Sequence, residues 1–147
     1  MNIPSSFFAS GVCEKDILYF SSNYLSSTEP HYFICLKKTA NDLLIFCVTS
    51  TQKEKILTRI QSSGLPAETV VHIKSIDTDT QSIFPKDCYV NCNNKFEFTV
   101  EQLQRKFESG EIIIKGQLPQ RYYEEIVNGL CLSPTIENSV KKLFNHI

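Results

Sequence analysis

The stretch 29-EPHYFICLKKTANDLLIFCVTSTQ-52 has the pattern of two apolar strands joined by a short polar turn. The second apolar run, LLIFCVTS at 43–50, has almost no polar interruption, which is typical of a buried strand. His31 opens the first strand, while Thr49 and Ser50 close the second. A hairpin would bring the histidine and the hydroxyls to one end, so this stretch predicts both a sheet and a candidate site.

Outward from this hairpin, the same patterns predict a mixed domain. Thr99 followed by Gln102 is a capping-box pattern, Pro119 suits a first helical turn, and Ser133-Pro134 suits a helix start. A block of short strands, an inserted helix and a helical C-terminus predict an α+β domain on a small, curled, mostly antiparallel sheet or barrel. The expected strands are 16–20, 31–36, 43–50, 68–76, 87–92 and 111–116, and the expected helices are 52–62, 99–108, 118–130 and 133–147.

The bulk composition limits the class of protein. The chain has 147 residues, 41% hydrophobic and 21% charged, which predicts one domain over 1–147 with a peripheral N-terminal segment at 1–13. A net charge of −1 lacks the basic signature of many nucleic-acid binders. No run approaches the roughly 20 apolar residues of a membrane helix, and the N-terminus lacks a signal-peptide pattern. We therefore expect a cytoplasmic protein with no membrane partner.

Six cysteines could form disulfides, bind metal or remain free. Cys35 and Cys47 lie inside apolar runs, where a free thiol behaves as a small hydrophobic group. Cys88 and Cys92 are four residues apart, so on a strand their side chains would face the same side. A zinc site would need two further ligands at a recognisable spacing, and the sequence has none. Buried free thiols are the favoured interpretation, and no metal site is expected.

Five motifs follow one another along the chain: EKDILYF, HYFICL, LLIFCVTS, KDCYVNC and IKGQLPQRYYEEIVNGL. Their order, over about residues 14–130, resembles that of the MazF/PemK (Kid) toxin family. The resemblance implies an SH3-like antiparallel barrel of five to six strands, with an inserted helix and C-terminal helices. It also implies a type II toxin that cleaves single-stranded RNA by attack of the ribose 2′-hydroxyl, without metal or other cofactor. Its partners would be RNA, an antitoxin protein and a second copy in a homodimer.

The resemblance assigns roles to particular positions. Thr49 and Ser50 match the family's Thr-Ser at its RNA-binding face, and Asp16 matches the aspartate of its first strand. The stretch 21–29 matches the loop beside the active site. His31 stands where the family usually has the arginine of Arg-Pro, and NCNNKFEF replaces a polar stretch ending in Arg-Thr-Ile-Asp. These departures leave open a catalytically degenerate barrel that acts as an RNA- or protein-binding module.

The chemistry of these residues suits metal-free RNA cleavage, which needs proton transfer and stabilisation of a charged phosphorane. Histidine can exchange protons near neutral pH, and hydroxyls and lysines supply donors and charge. The predicted catalytic residues are His31, Thr49 and Ser50. The predicted RNA-binding residues are two tyrosines that could stack on bases, two asparagines that could read base edges and two lysines: Tyr24, Tyr32, Asn91, Asn93, Lys53 and Lys95.

Several of these residues also have a structural explanation. Ser50 or Thr51 could cap the helix that follows, because hydroxyl residues are favoured there. His31 could be an ordinary surface histidine. Asn91 and Asn93 could simply shape a turn.

Overall fold

In the computed structural model, which describes residues 10–25 and 28–144, the 29–52 stretch forms the expected hairpin. Strands β2 (His31–Lys38) and β3 (Leu43–Ser50) pair antiparallel, with Phe33 opposite Val48. Asp42 in the turn has φ of 58°, a left-handed conformation that aspartate tolerates better than most residues. The hairpin is therefore built from its apolar pattern and its turn residues together.

Seven strands in the described part of the chain pair antiparallel in the order β4-β5-β3-β2-β1-β7, with β6 beside the first half of β3. The predicted α+β class and antiparallel sheet are confirmed. The other strands are β1 (Asp16–Phe20), β4 (Val70–Ile73), β5 (Cys88–Asn91), β6 (Phe96–Thr99) and β7 (Ile113–Gln117). The helices are α1 (Lys53–Ser62), α2 (Val100–Glu108), α3 (Gln120–Leu132) and α4 (Asn138–Lys141), with a 3₁₀ turn at Ala67–Thr69.

Within the described residues, the sheet is open rather than a closed barrel, and it has seven strands rather than the predicted five or six. Strands β4 and β7 end the path without pairing with each other. The extra strand is β6, a four-residue segment that pairs with Leu43–Phe46. Its pattern is too short to be distinguished by sequence from the start of the following helix.

Both faces of the sheet carry an apolar cluster, which suits an open sheet better than a barrel with one interior. Adjacent residues on each strand contribute to opposite faces, as Ile17 and Leu18 do in β1. One cluster packs against α3 through Ile126, and the other against α2 through Leu103. Val12 belongs to the segment 1–13 predicted to be peripheral, but it is only 3% exposed and lies in the cluster that packs against α2. Residues 1–9 of that segment lie outside the described chain.

The helix starts predicted at Thr99 and Ser133 have different outcomes. Thr99 and Gln102 form the predicted capping box, with reciprocal bonds of 2.8 and 3.0 Å. Ser133 does not start a helix, because its Oγ instead accepts from the Thr135 N–H at 3.2 Å and donates to Asn93 at 2.5 Å. The last helix accordingly begins five residues later, at Asn138. The helix after Pro119 begins as predicted.

Helix α3 packs very closely on the 3₁₀ turn and on the end of β5. A Cβ added at Gly129 would lie 2.8 Å from the Glu68 carbonyl oxygen and 2.9 Å from Cys92 Sγ. Glycine at this position therefore allows the helix to approach the sheet. In the described segments, no helix is long and apolar enough to cross a membrane.

Candidate functional site

The candidate site is an open groove of about 650 Å³ at the point where β2 and β3 separate. Their ladder ends at the pair Phe33 and Val48. Beyond it, β2 continues beside β1, with His31 opposite Phe20. Strand β3 instead continues beside β5, so the two strands of the hairpin diverge. We call this space the β2–β3 groove.

The groove brings His31 and Ser50 together, as the sequence predicts. Both line it, and strand parity places both on the sheet face that carries Phe33. Thr49 also borders the groove but faces the opposite side of the sheet, where it is only 3% exposed. The three predicted catalytic residues therefore all border the groove, but only His31 and Ser50 share a face of the sheet.

His31 is held in a defined orientation. Its Nδ1 lies 2.9 Å from the Glu29 backbone carbonyl oxygen. Because a carbonyl can only accept, Nδ1 carries the proton of this bond, and in the neutral ring Nε2 keeps its lone pair. The imidazole can therefore accept a proton at Nε2, which is the chemistry expected of a base.

Three cations line the groove: Lys55 and Arg59 from α1, and Lys86 from the segment before β5. None of the three side chains forms a salt bridge or hydrogen bond with another described residue. The only carboxylate among the described lining residues is Glu29. The groove therefore carries a net positive charge in a chain whose overall charge is −1.

Aromatic rings border the groove beside these cations. Tyr32 packs between Tyr19 at 4.7 Å and Phe84 at 5.0 Å, and burial raises the pKa of its hydroxyl. Tyr89 and Phe96 also line the groove, from β5 and β6. Cations interleaved with aromatic rings are typical of surfaces that hold unpaired nucleotides.

Several predicted RNA-binding residues lie outside this groove. A second pocket of about 600 Å³ contains Tyr24, Asn93 and Lys95 and shares Phe96 with the groove. Burial would lower the pKa of Lys95, but the hydrogen bond and charge of Glu97, 2.7 Å away, outweigh it and raise the pKa. Lys95 is therefore a paired cation.

Two further predicted positions have other surroundings. Lys53 is exposed at the start of α1 and does not line the groove. Asp16, matched through the resemblance, is also absent from the lining, and its carboxylate accepts from the Cys13 N–H and the Gln117 amide. Residues 26 and 27 of the 21–29 loop lie outside the described chain, while Leu25 and Glu29, one before and one after them, line the groove.

The structure supplies partners for the two predicted asparagines. Asn91 lines the groove, but its Oδ1 accepts from the backbone and the side chain of Asn93 at 3.0 and 2.8 Å. Asn93, only 7% exposed, also donates to Thr69 at 2.9 Å and accepts from Ser133. This network joins the end of β5 to the C-terminal segment, which agrees with the turn-forming alternative.

Ser50 likewise has a local role. Its Oγ accepts from the Gln52 N–H at 3.1 Å, one residue before α1 begins. The helix has no side-chain cap, so this is a turn before the helix rather than the capping bond considered above. A hydroxyl that accepts one bond can still donate its own hydrogen into the groove.

The six cysteines are all free. Burial raises the pKa of Cys88 and Cys92 to about 12, so these thiols are protonated at neutral pH. In the part of the chain that the structure describes, no three His, Cys, Asp or Glu side chains converge as metal ligands would. The favoured interpretation of the cysteines as buried free thiols is confirmed for four of them, while Cys13 is exposed and Cys131 intermediate.

Sequence reasoning missed the three cations of the groove and, apart from Tyr32, its aromatic rings. Lys55 and Arg59 had a usable signal, since a spacing of four places two side chains on one helix face. The sequence carries no comparable signal for Lys86 and Tyr89, because these residues come close to β3 only through the pairing of β5 with β3.

Neither a protein-family model nor a curated protein matches this chain. The likeness to MazF/PemK toxins therefore depends on the order of the five motifs alone. What it implies about activity enters only as part of the proposal below.

Proposed function

We propose that this protein binds single-stranded RNA in the β2–β3 groove and cleaves it without a metal ion. The observation that carries the proposal is the set of three cations, Lys55, Arg59 and Lys86, which form no salt bridge with another described residue and lie in a groove that also holds aromatic rings and His31. Phosphates attract such cations, while unpaired bases stack on aromatic rings. The separation of β2 from β3 leaves space for a flexible strand, and a rigid duplex would not expose its bases to these rings.

The groups in the groove account for the chemistry. Nε2 of His31 takes the proton of a ribose 2′-hydroxyl, and the resulting oxygen attacks the adjacent phosphorus. The bond from phosphorus to the 5′-oxygen breaks, which leaves a 2′,3′-cyclic phosphate, and the 5′-oxygen takes a proton from solvent in the open groove. Ser50 and the nearby cations stabilise the charge on the phosphorane.

The resemblance extends this proposal to the biology. The protein would be an endoribonuclease toxin of a type II toxin–antitoxin system, cytoplasmic and homodimeric. Its antitoxin would cover the positive groove, which an acidic segment could neutralise. The open seven-stranded sheet would be a divergent form of the SH3-like barrel.

The test is incubation of the purified protein with a long single-stranded RNA in EDTA, beside a His31→Gln variant. We expect fragments ending in 2′,3′-cyclic phosphate with the wild type and at least 100-fold slower cleavage with the variant, the typical contribution of a proton-transfer group. Unchanged RNA affinity in the variant would show that its groove is intact. Equal cleavage by both proteins would contradict the role of His31.

A second candidate is an RNA-binding module without catalysis. The burial of Thr49 favours it, because this side chain faces the opposite side of the sheet from His31. Saturable binding of RNA that stays intact with the folded wild type would establish this alternative.

A further inference from the structure

A row of three outward-facing residues crosses the sheet beside the groove. Tyr89 on β5 lies opposite His72 on β4 and opposite Ser50 on β3. Cross-strand partners stand side by side on one face, about 4.8 Å apart along the hydrogen-bonding direction. The row is therefore imidazole, phenol ring and small hydroxyl, in that order, with the hydroxyl in the groove.

The phenol ring of Tyr89 is covered on one side. The His72 ring stacks on it with centroids 4.6 Å apart and planes 18° from parallel. Because the rings are stacked side by side across the strands, the second face of the Tyr89 ring points toward β3. Ser50 is the cross-strand partner on that side, and Tyr89 and Ser50 both line the groove.

His72 is itself fixed from behind. Its Nε2 lies 2.8 Å from Asp87 Oδ2, and Asp87 Oδ1 accepts from the N–H and hydroxyl of Ser75, each at 2.9 Å. This chain of bonds keeps the imidazole plane against the tyrosine. The Tyr89 ring is thus supported on its outer side, and its other side borders the groove.

We propose that the space above Ser50 is a slot for one unpaired nucleobase, which stacks on the groove face of Tyr89. This inference rests on the proposed function and adds a residue-level subsite to it. Tyr89 is the binding residue, and His72 is a positioning residue that acts through it. The neighbouring Lys86 lines the same groove and supplies charge for the phosphate of that nucleotide.

The test compares two decamers with equal charge: 2′-O-methyl-uridine, which resists cleavage, and an abasic decamer that lacks every base. Stacking of one base is worth about 1–3 kcal/mol, so the wild type should bind the uridine decamer about 5- to 150-fold more tightly. The ratio of the two affinities, uridine decamer over abasic decamer, should come close to 1 with Tyr89→Leu, while the affinity for the abasic decamer stays unchanged. Ser50→Val, which fills the slot without removing a ring, should also lower the ratio.

The positioning role has its own readout. His72→Ala should lower the ratio in the wild-type background and change nothing in the Tyr89→Leu background, because it acts only through that ring. Additive effects would overturn the role of His72. A ratio near 1 for the wild type, with both decamers bound, would overturn the slot and leave the proposed RNA groove standing. If neither decamer binds, the proposed function fails and the slot fails with it.

Discussion

Removing two groove cations should weaken the salt dependence of RNA binding by a calculable amount. Each phosphate contact on a single strand contributes about −0.7 to the slope of log K against log salt. Lys55, Arg59 and Lys86 therefore predict a slope of about −2 for the wild type. With Lys55→Gln and Arg59→Gln combined, one contact remains and the slope should be about −0.7.

Fluorescence anisotropy of a labelled 2′-O-methyl-uridine decamer measures this slope between 50 and 200 mM salt. Over this fourfold range, wild-type affinity should fall about 20-fold and that of the double variant about 3-fold. Lys53→Gln is the matched control, since it removes a charge from the same helix outside the groove. An unchanged slope in the double variant, or an equal change in the control, would refute the assignment of the groove.

Three predictions concern stability and are measured by urea unfolding. Gly129→Ala should destabilise the protein, because overpacking against the 3₁₀ turn costs about 1–3 kcal/mol, against a helix-propensity gain of about 1 kcal/mol; equal or greater stability would contradict the close packing. The backbone N–H of Ser75, with the imidazole and hydroxyl bonded to the same carboxylate, holds the pKa of Asp87 at about 2. The ionised carboxylate of Asp87 therefore stabilises the fold above about pH 4, and this contribution is lost toward pH 2. The difference in unfolding free energy between the wild type and Asp87→Asn should accordingly shrink from pH 4 to pH 2. A difference that does not change with pH would contradict the lowered pKa of Asp87. Asn93→Ala should cost about 2–3 kcal/mol because it leaves buried partners unsatisfied, whereas the exposed Asn94→Ala should stay within about 0.5 kcal/mol; equal effects would contradict the network.

The elements predicted correctly are those whose signals are local. The apolar run at 43–50 and the Thr99 capping box each specify their structure within a few residues, so β3 and the start of α2 follow from sequence. Ser133 carries an equally local signal, but Asn93, 40 positions away, takes its hydroxyl. Tertiary hydrogen bonds of this kind override local helix signals.

The candidate site was predictable only where hairpin geometry determines it. The pairing of β2 with β3 brings His31 and Ser50 to one end, and alternation along β3 means that Thr49 faces the other side. Lys86 and Tyr89 reach the groove only because β5 pairs with the end of β3 after a long connection. No local pattern specifies that pairing, so half of the groove could be found only in the folded chain.

The most direct test of the central claim is a ¹H–¹⁵N correlation spectrum of the full chain, titrated with the 2′-O-methyl-uridine decamer. We expect saturable amide shifts at the start of β2, the end of β3, along α1 and in β5, the elements that border the β2–β3 groove. Shifts confined to another surface such as β7, or no shifts at decamer concentrations up to the millimolar range, would contradict RNA binding in this groove.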